Sequence, residues 1–219
     1  MAQKLKQMTK IYGAGPYIAG RKMMVRYMNQ DWDYDVVSYI DKKIIGLGTC
    51  HTGITRDDAI KMLKYWKYLF LVAKGEEKEG FSYLKKAYAD KSPDAIAQYA
   101  YFFYTGQKIT RRPNTKKALK LFERALEEQS MFAEYLYAEA LIHNNEDDLE
   151  IIKEVIPYYE TAIKKGVVFA RYNLARCYYL TKQNLDKAKT LLEKSDDPRA
   201  KQLLETVKVD RYFDRKKRK

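Results

Sequence analysis

Small residues return along this chain at spacings that point to one helical hairpin used several times over. The clearest copy spans Ser92–Gln129. Ser92 is a suitable N-cap, and Pro93 follows at the first helical position, where a missing N–H costs nothing. Ala95, Tyr99, Ala100 and Phe103 then share one helical face, and Gly106 suits a left-handed stop. Asn114 opens a second helix with Ala118, Leu121, Phe122 and Ala125 on one face. Ala95 is matched by Ala133 and Ala170, Tyr99-Ala100 by Tyr137-Ala138 and Leu174-Ala175, and Phe103 by Leu141 and Tyr178. In the second helix Ala125 is matched by Ala87, Ala162 and Ser195. Self-similarity with a period near this length is the mark of a helical solenoid.

The pattern Ala-x-x-x-Leu/Tyr-Ala-x-x-Tyr followed by Lys-Ala-x-x-Leu-Phe-x-x-Ala resembles the Sel-one-like repeat, a longer relative of the tetratricopeptide repeat. The resemblance covers about residues 57–205, and is weakest over Met131–Gly166, where Pro157 is expected to interrupt the second helix. It implies an all-α fold, a right-handed α-solenoid of antiparallel helix pairs. Hairpins are expected over Thr55–Tyr88, Ser92–Glu128, Met131–Lys165 and Val168–Lys194. The organisation read from the chain is an N-terminal helical extension (1–54), about four repeats with a C-terminal capping helix (55–208), and a basic tail (209–219).

The remaining segments fit this frame. Gly13-Ala14-Gly15-Pro16 reads as a loop, because the next glycine, Gly20, is wrongly spaced for a dinucleotide fingerprint. Thr55-Arg56-Asp57-Asp58 resembles a capping box and opens a helix with Ala59, Leu63, Trp66, Phe70 and Ala73 on one face. Gly75 ends it, and Phe81, Leu84 and Ala87 begin its partner. Asp197-Pro198 starts a final helix whose Lys201, Gln202, Glu205 and Lys208 supply the polar face that a terminal repeat needs. No apolar run approaches the roughly 18 residues that would span a bilayer.

The formal net charge is +13. Residues 1–50 carry eight Lys/Arg against four Asp, and 210–219 carry six against two, so each end holds +4. The 159 residues between them hold only +5. Two distant cysteines, Cys50 and Cys177, argue against a disulfide framework and suit a reducing, cytoplasmic compartment, with a nucleus or virion left open. Cys50-His51 has no further clustered ligand, so no metal or cofactor is expected. Neither His51 nor His143 sits beside a recognisable nucleophile and carboxylate, and no enzymatic activity is expected.

One helical face stands in register beside the small-residue face. It runs through Ala97, Tyr101 and Tyr104, then Tyr135, Glu139 and Ile142, then Tyr172, Arg176 and Tyr179. The resemblance places first helices on a concave surface, so Tyr101, Tyr104, Tyr135, Glu139, Tyr172, Arg176 and Tyr179 are the candidate partner-binding residues. Tyrosine and arginine are enriched where protein interfaces concentrate their energy. The competing reading packs these tyrosines between repeats and lets Glu139 and Arg176 satisfy each other. The expected function is a non-enzymatic adaptor or scaffold holding a segment of another protein. The alternative is a nucleic-acid-associated assembly factor or virion component, with Arg215, Lys216, Lys217, Arg218 and Lys219 on nucleic acid or an acidic surface.

Overall fold

A computed structural model describes residues 56–217 apart from 169 and 196, with side chains over 60–209. The expected N-terminal extension, the Thr55 cap, Cys50-His51 and the Arg215–Lys219 side chains lie outside the described residues. Every secondary-structure element among the described residues is helical. In chain order these are α1 (Arg56–Ala73), α2 (Glu77–Ala89), α3 (Pro93–Thr105), α4 (Thr115–Glu127), α5 (Ala133–Ile142), α6 (Leu149–Lys165), α7 (Ala170–Leu180), α8 (Leu185–Glu193) and α9 (Ala200–Lys217). The chain divides into two compact units, one ending at Ala133 and one beginning at Glu134. None of the helices is long and apolar enough to cross a membrane.

The repeat is written into the backbone at its joints. Lys91, Gln129 and Gly166 adopt φ of 60°, 58° and 102°. After each, the next N–H closes on a carbonyl five residues back: Ser92 on Ala87, Ser130 on Ala125 and Val167 on Ala162. This left-handed cap satisfies carbonyls that the helix end would otherwise leave open. Glycine meets the conformation without strain only at Gly166. The non-glycine residues at the other two joints accept a cost that neighbouring contacts must offset.

The same register governs burial. In the second helices, Gly80, Ala118, Val155 and Ala188 occupy one column, Leu84, Phe122, Tyr159 and Leu192 the next, and all eight are buried. Ala87, Ala125 and Ala162 form a third buried column, whose last member, Ser195, is half-buried. Close approach explains the smallest member: a Cβ on Gly80 would lie 2.9 Å from the Val72 side chain and 3.2 Å from the Tyr68 carbonyl. In the first helices, Ala95, Ala100, Ala133, Ala138, Ala170 and Ala175 are all fully buried.

In the first unit, α1 packs on α2, α3 on α4, and α2 also on α3. Phe132 closes this core, its ring 5.3 Å from Tyr65 and 5.5 Å from Trp66. The Tyr65 hydroxyl donates to Gln98 Oε1 at 2.9 Å, which offsets the polar cost of burying both. A buried carboxylate ties the two ends of the α3–α4 hairpin. Asp94 accepts from Ser130 Oγ at 2.7 Å and from the Met131 N–H at 2.9 Å. In the second unit, α7 packs on α6 and α8, and α9 on α8.

Several local expectations differ from what is found. Ser92 occupies the N-cap position, but its side chain makes no cap hydrogen bond. Asn114 does cap α4, its side chain accepting from the Lys117 N–H. Pro157 does not interrupt α6, which runs through it. The proline is on the exposed side, where water can take the Lys153 carbonyl that it leaves without a helical donor. The last helix continues to Lys217, into the segment read as a basic tail.

Replacing Ala100 or Ala175 by leucine should overpack a fully closed site and cost about 1–3 kcal/mol. Thermal unfolding of each variant checks this, and unchanged midpoints would contradict the close packing described.

Candidate functional site

Five of the seven expected partner-binding residues, Tyr135, Glu139, Tyr172, Arg176 and Tyr179, belong to the second unit, where Glu139 is the centre of a hydrogen-bonded group. Glu139 lies on α5, one helical turn after Tyr135. Tyr159 of α6 donates its hydroxyl to Glu139 Oε1 at 2.5 Å. Asn173 of α7 donates its side-chain N–H to the same oxygen. Three helices therefore meet at a single acceptor atom. Among the described residues Oε2 has no hydrogen-bond partner, and it is not among the fully shielded atoms.

Burial holds the Glu139 carboxyl above its ordinary range, while the two donors and the fields of Arg199 and Arg176 pull the other way. Tyr159 is raised well above its ordinary value, first by burial and then by the negative charge of Glu139. Tyr159 therefore keeps its proton and serves as a donor. Cys177, on the buried side of α7, is pushed up to about 12 by burial, so its thiol stays protonated at neutral pH.

Two arginines frame this group, each with a carboxylate of its own. Arg199 binds Asp197 through two contacts, 3.0 Å and 2.7 Å, and lays its guanidinium 4.2 Å from the centre of the Tyr172 ring. Burial pushes the Asp197 carboxyl up, but the bonds from Arg199 outweigh it and the net shift is downward. Arg176 lies 3.6 Å from Glu146. The direct pairing of Arg176 with Glu139, part of the competing reading, is thus not formed. Glu139 is bound by Tyr159 and Asn173, which have shorter and neutral donors to offer a buried acceptor.

Tyr135, Tyr172, Arg176 and Tyr179 are all half-buried, as is Glu139. Tyr135 packs its ring 6.1 Å from Tyr159. Tyr179 is covered by the Lys182 ammonium, 4.2 Å from its ring centre. Tyr101 and Tyr104 belong to the first unit and are also half-buried, Tyr101 with its ring edge-on to Phe102. Ala97, which begins the same face there, is fully buried.

Tyr159 and Asn173 are central to the group and absent from the expected site. Tyr159 occupies a core column held elsewhere by Leu84, Phe122 and Leu192. A tyrosine in such a column must find a partner for its hydroxyl, and that requirement was the available signal. No family model matches the chain, and no curated protein or solved structure matches it either.

The charge of Glu139 sets a pH signature. Its folded pKa is raised, so the folded state binds more protons than the unfolded one between the two pKa values. The penalty for burying the charge is present in full above the folded value. It disappears as pH falls through the folded value toward the unfolded one near 4.3. Glu139→Gln keeps an acceptor for Tyr159 and Asn173 without the charge. It should be more stable than the native chain at neutral pH, with the gap closing as pH approaches about 4. Glu139→Ala strands both donors and should cost about 1–3 kcal/mol. Denaturant titrations of the three proteins at several pH values check both, and a gap that widens in acid would reverse the assignment.

Proposed function

We propose that this chain is a non-enzymatic interaction module, a Sel-one-like right-handed solenoid of antiparallel helix pairs that holds a segment of a partner protein. The fold part of this reading is supported by the left-handed joints at Lys91, Gln129 and Gly166 and by the buried columns that keep their register. The functional part is supported by one observation above others. In the second unit the Glu139 carboxylate keeps one oxygen without a partner among the described residues, within the field of Arg176 and Arg199, while the half-buried Tyr135 packs on its donor Tyr159 and Tyr172 on Arg199.

Such a group offers what a peptide segment uses. Tyrosine rings present flat apolar area with few rotors to freeze, and their hydroxyls take polar partners. The open oxygen of Glu139 accepts from a main-chain N–H or a basic side chain. Arg176 is only loosely held by Glu146 and can turn to an acidic one. Nothing in this set resembles a catalytic constellation: the thiol is protonated and the carboxylate already carries two donors.

Peptide-display selection against the folded protein, followed by titration of the selected peptides, tests the reading. Tyr172→Ala together with Tyr179→Ala should weaken binding by about tenfold or more while cooperative unfolding persists. Equal binding by the double variant, or failure to select any peptide, would contradict it.

A further inference from the structure

A second surface, in the first unit, carries a different kind of signal. Between Lys108 and Arg124 the chain holds seven basic residues against one acid, Glu123, a net +6. The 159 residues from 51 to 209 total only +5, so the rest of that body is −1. The positive charge of the repeat region is concentrated in the α3–α4 loop and on α4.

The structure holds these charges outward. The apolar side of α4, Ala118, Phe122 and Ala125, is buried, which turns Lys116, Lys117 and Lys120 to solvent. Lys116, Lys120 and Arg124 follow at four-residue intervals, about 6 Å apart along the axis. The loop is anchored at both ends. Asn114 donates its N–H to the Phe103 carbonyl at 2.7 Å, and Pro113 closes against Gly106, whose φ is 72° and where an added Cβ would meet Pro113 Cδ at 2.8 Å. Arg111 and Arg112 are thereby presented beside the positive end of α4. Lys108 pairs with Glu77 and Arg124 with Glu128, and Lys117 lies 3.9 Å from the centre of the Phe103 ring. Arg111, Arg112, Lys116 and Lys120 are exposed and have no ion-pair partner among the described residues.

We infer that this face binds the phosphate backbone of a nucleic acid. A protein partner would need an apolar centre to the interface, and a membrane helix an apolar face to insert. Here the apolar side of α4 is already used, and Leu119 is its one exposed large apolar residue. What remains is adaptable like charge, including two guanidiniums able to grip phosphate oxygens in pairs. Binding of this kind is independent of base sequence and steeply dependent on salt. The inference does not rest on the peptide-binding reading of the second unit, and it differs in location from the basic C-terminus.

Fluorescence anisotropy with a labelled single-stranded RNA of about 20 nucleotides, and with a duplex DNA of similar length, tests it across a salt series. The native chain should bind, with log affinity falling linearly in log salt. Arg111→Gln, Arg112→Gln, Lys116→Gln and Lys120→Gln combined should weaken binding by about tenfold or more and flatten the single-strand slope by about 0.7 for each phosphate no longer neutralised. Lys78→Gln, Lys85→Gln, Lys164→Gln and Lys201→Gln combined removes the same charge elsewhere and should change little. Should the four-site variant lose helical signal, Arg111→Gln with Arg112→Gln, in the loop alone, carries the same comparison. Equal weakening by the two four-site variants would overturn the inference in favour of net charge. Weaker binding on deleting Arg215–Lys219, with no change from the loop variant, would overturn it in favour of the C-terminus. No binding to either nucleic acid at about 50 mM salt would overturn it outright, and binding only to anionic vesicles or to polyglutamate would assign the face to those partners instead.

Discussion

Close contact between helix backbones requires side chains that occupy almost no space, and this chain meets that demand at fixed intervals. Ala95, Ala100, Ala133, Ala138, Ala170 and Ala175 have no exposed surface. Neither do Ala87, Ala125 and Ala162 in the second helices. An alanine at such a point adds little hydrophobic area itself. Its contribution is to let larger neighbours, such as Phe122 and Tyr159, reach across and fill the space beside it. The left-handed joints then set where the following helix begins. Small contacts and fixed joints are complementary constraints: one sets separation, the other direction.

The polar interactions inside the two units follow from that geometry. Once helices are drawn close, any polar group on their inner faces loses water and must find a partner. Asp94 answers this with Ser130 and the Met131 N–H, joining the start of one hairpin to the start of the next segment. Glu139 answers it with Tyr159 and Asn173. Asp94 takes the donors named above from one turn, at Ser130 and Met131, whereas Glu139 draws donors from two other helices and keeps one oxygen without a partner among the described residues. A group so placed supports the packing while one of its oxygens has no hydrogen-bond partner among the described residues.

The hairpin limits and the alanine register could be read from the residues because period and composition repeat together. Ser92–Glu128 was expected as one hairpin, and α3 and α4 fill it from Pro93 to Glu127. Other features were not legible because they depend on contacts between residues far apart in the chain. Glu139 faces Tyr159 and Asn173, separated by 20 and 34 residues, and no local pattern announces that. Pro157 misled for a different reason. A proline disrupts a helix through one missing N–H and one crowded carbonyl, and both faults are tolerable on a face open to water. Ser92 had the right chemistry and position for a cap, yet its hydroxyl makes none.

The copies differ at positions that packing does not consume, while the repeated residues are the packed ones. The basic stripe on α4 illustrates this. Carried forward by the same register, Lys117 becomes Glu154, Lys120 becomes Pro157 and Arg124 becomes Thr161 on α6. On α8 Lys116 becomes Asp186 and Lys120 becomes Thr190; a base is kept only at Lys153 for Lys116 on α6, and at Lys187 and Lys194 for Lys117 and Arg124. The concentrated positive face therefore occurs once, although its buried side recurs in every copy. The first helices show the same division. Ala100, Ala138 and Ala175 are one residue three times, while the neighbouring positions are Tyr101, Glu139 and Arg176: an aromatic, an anion and a cation. Packing alone would have tolerated one half-buried residue type at all three. The alanine is kept while the half-buried residue beside it changes, so the hairpins share their packing and differ in the chemistry of that one position.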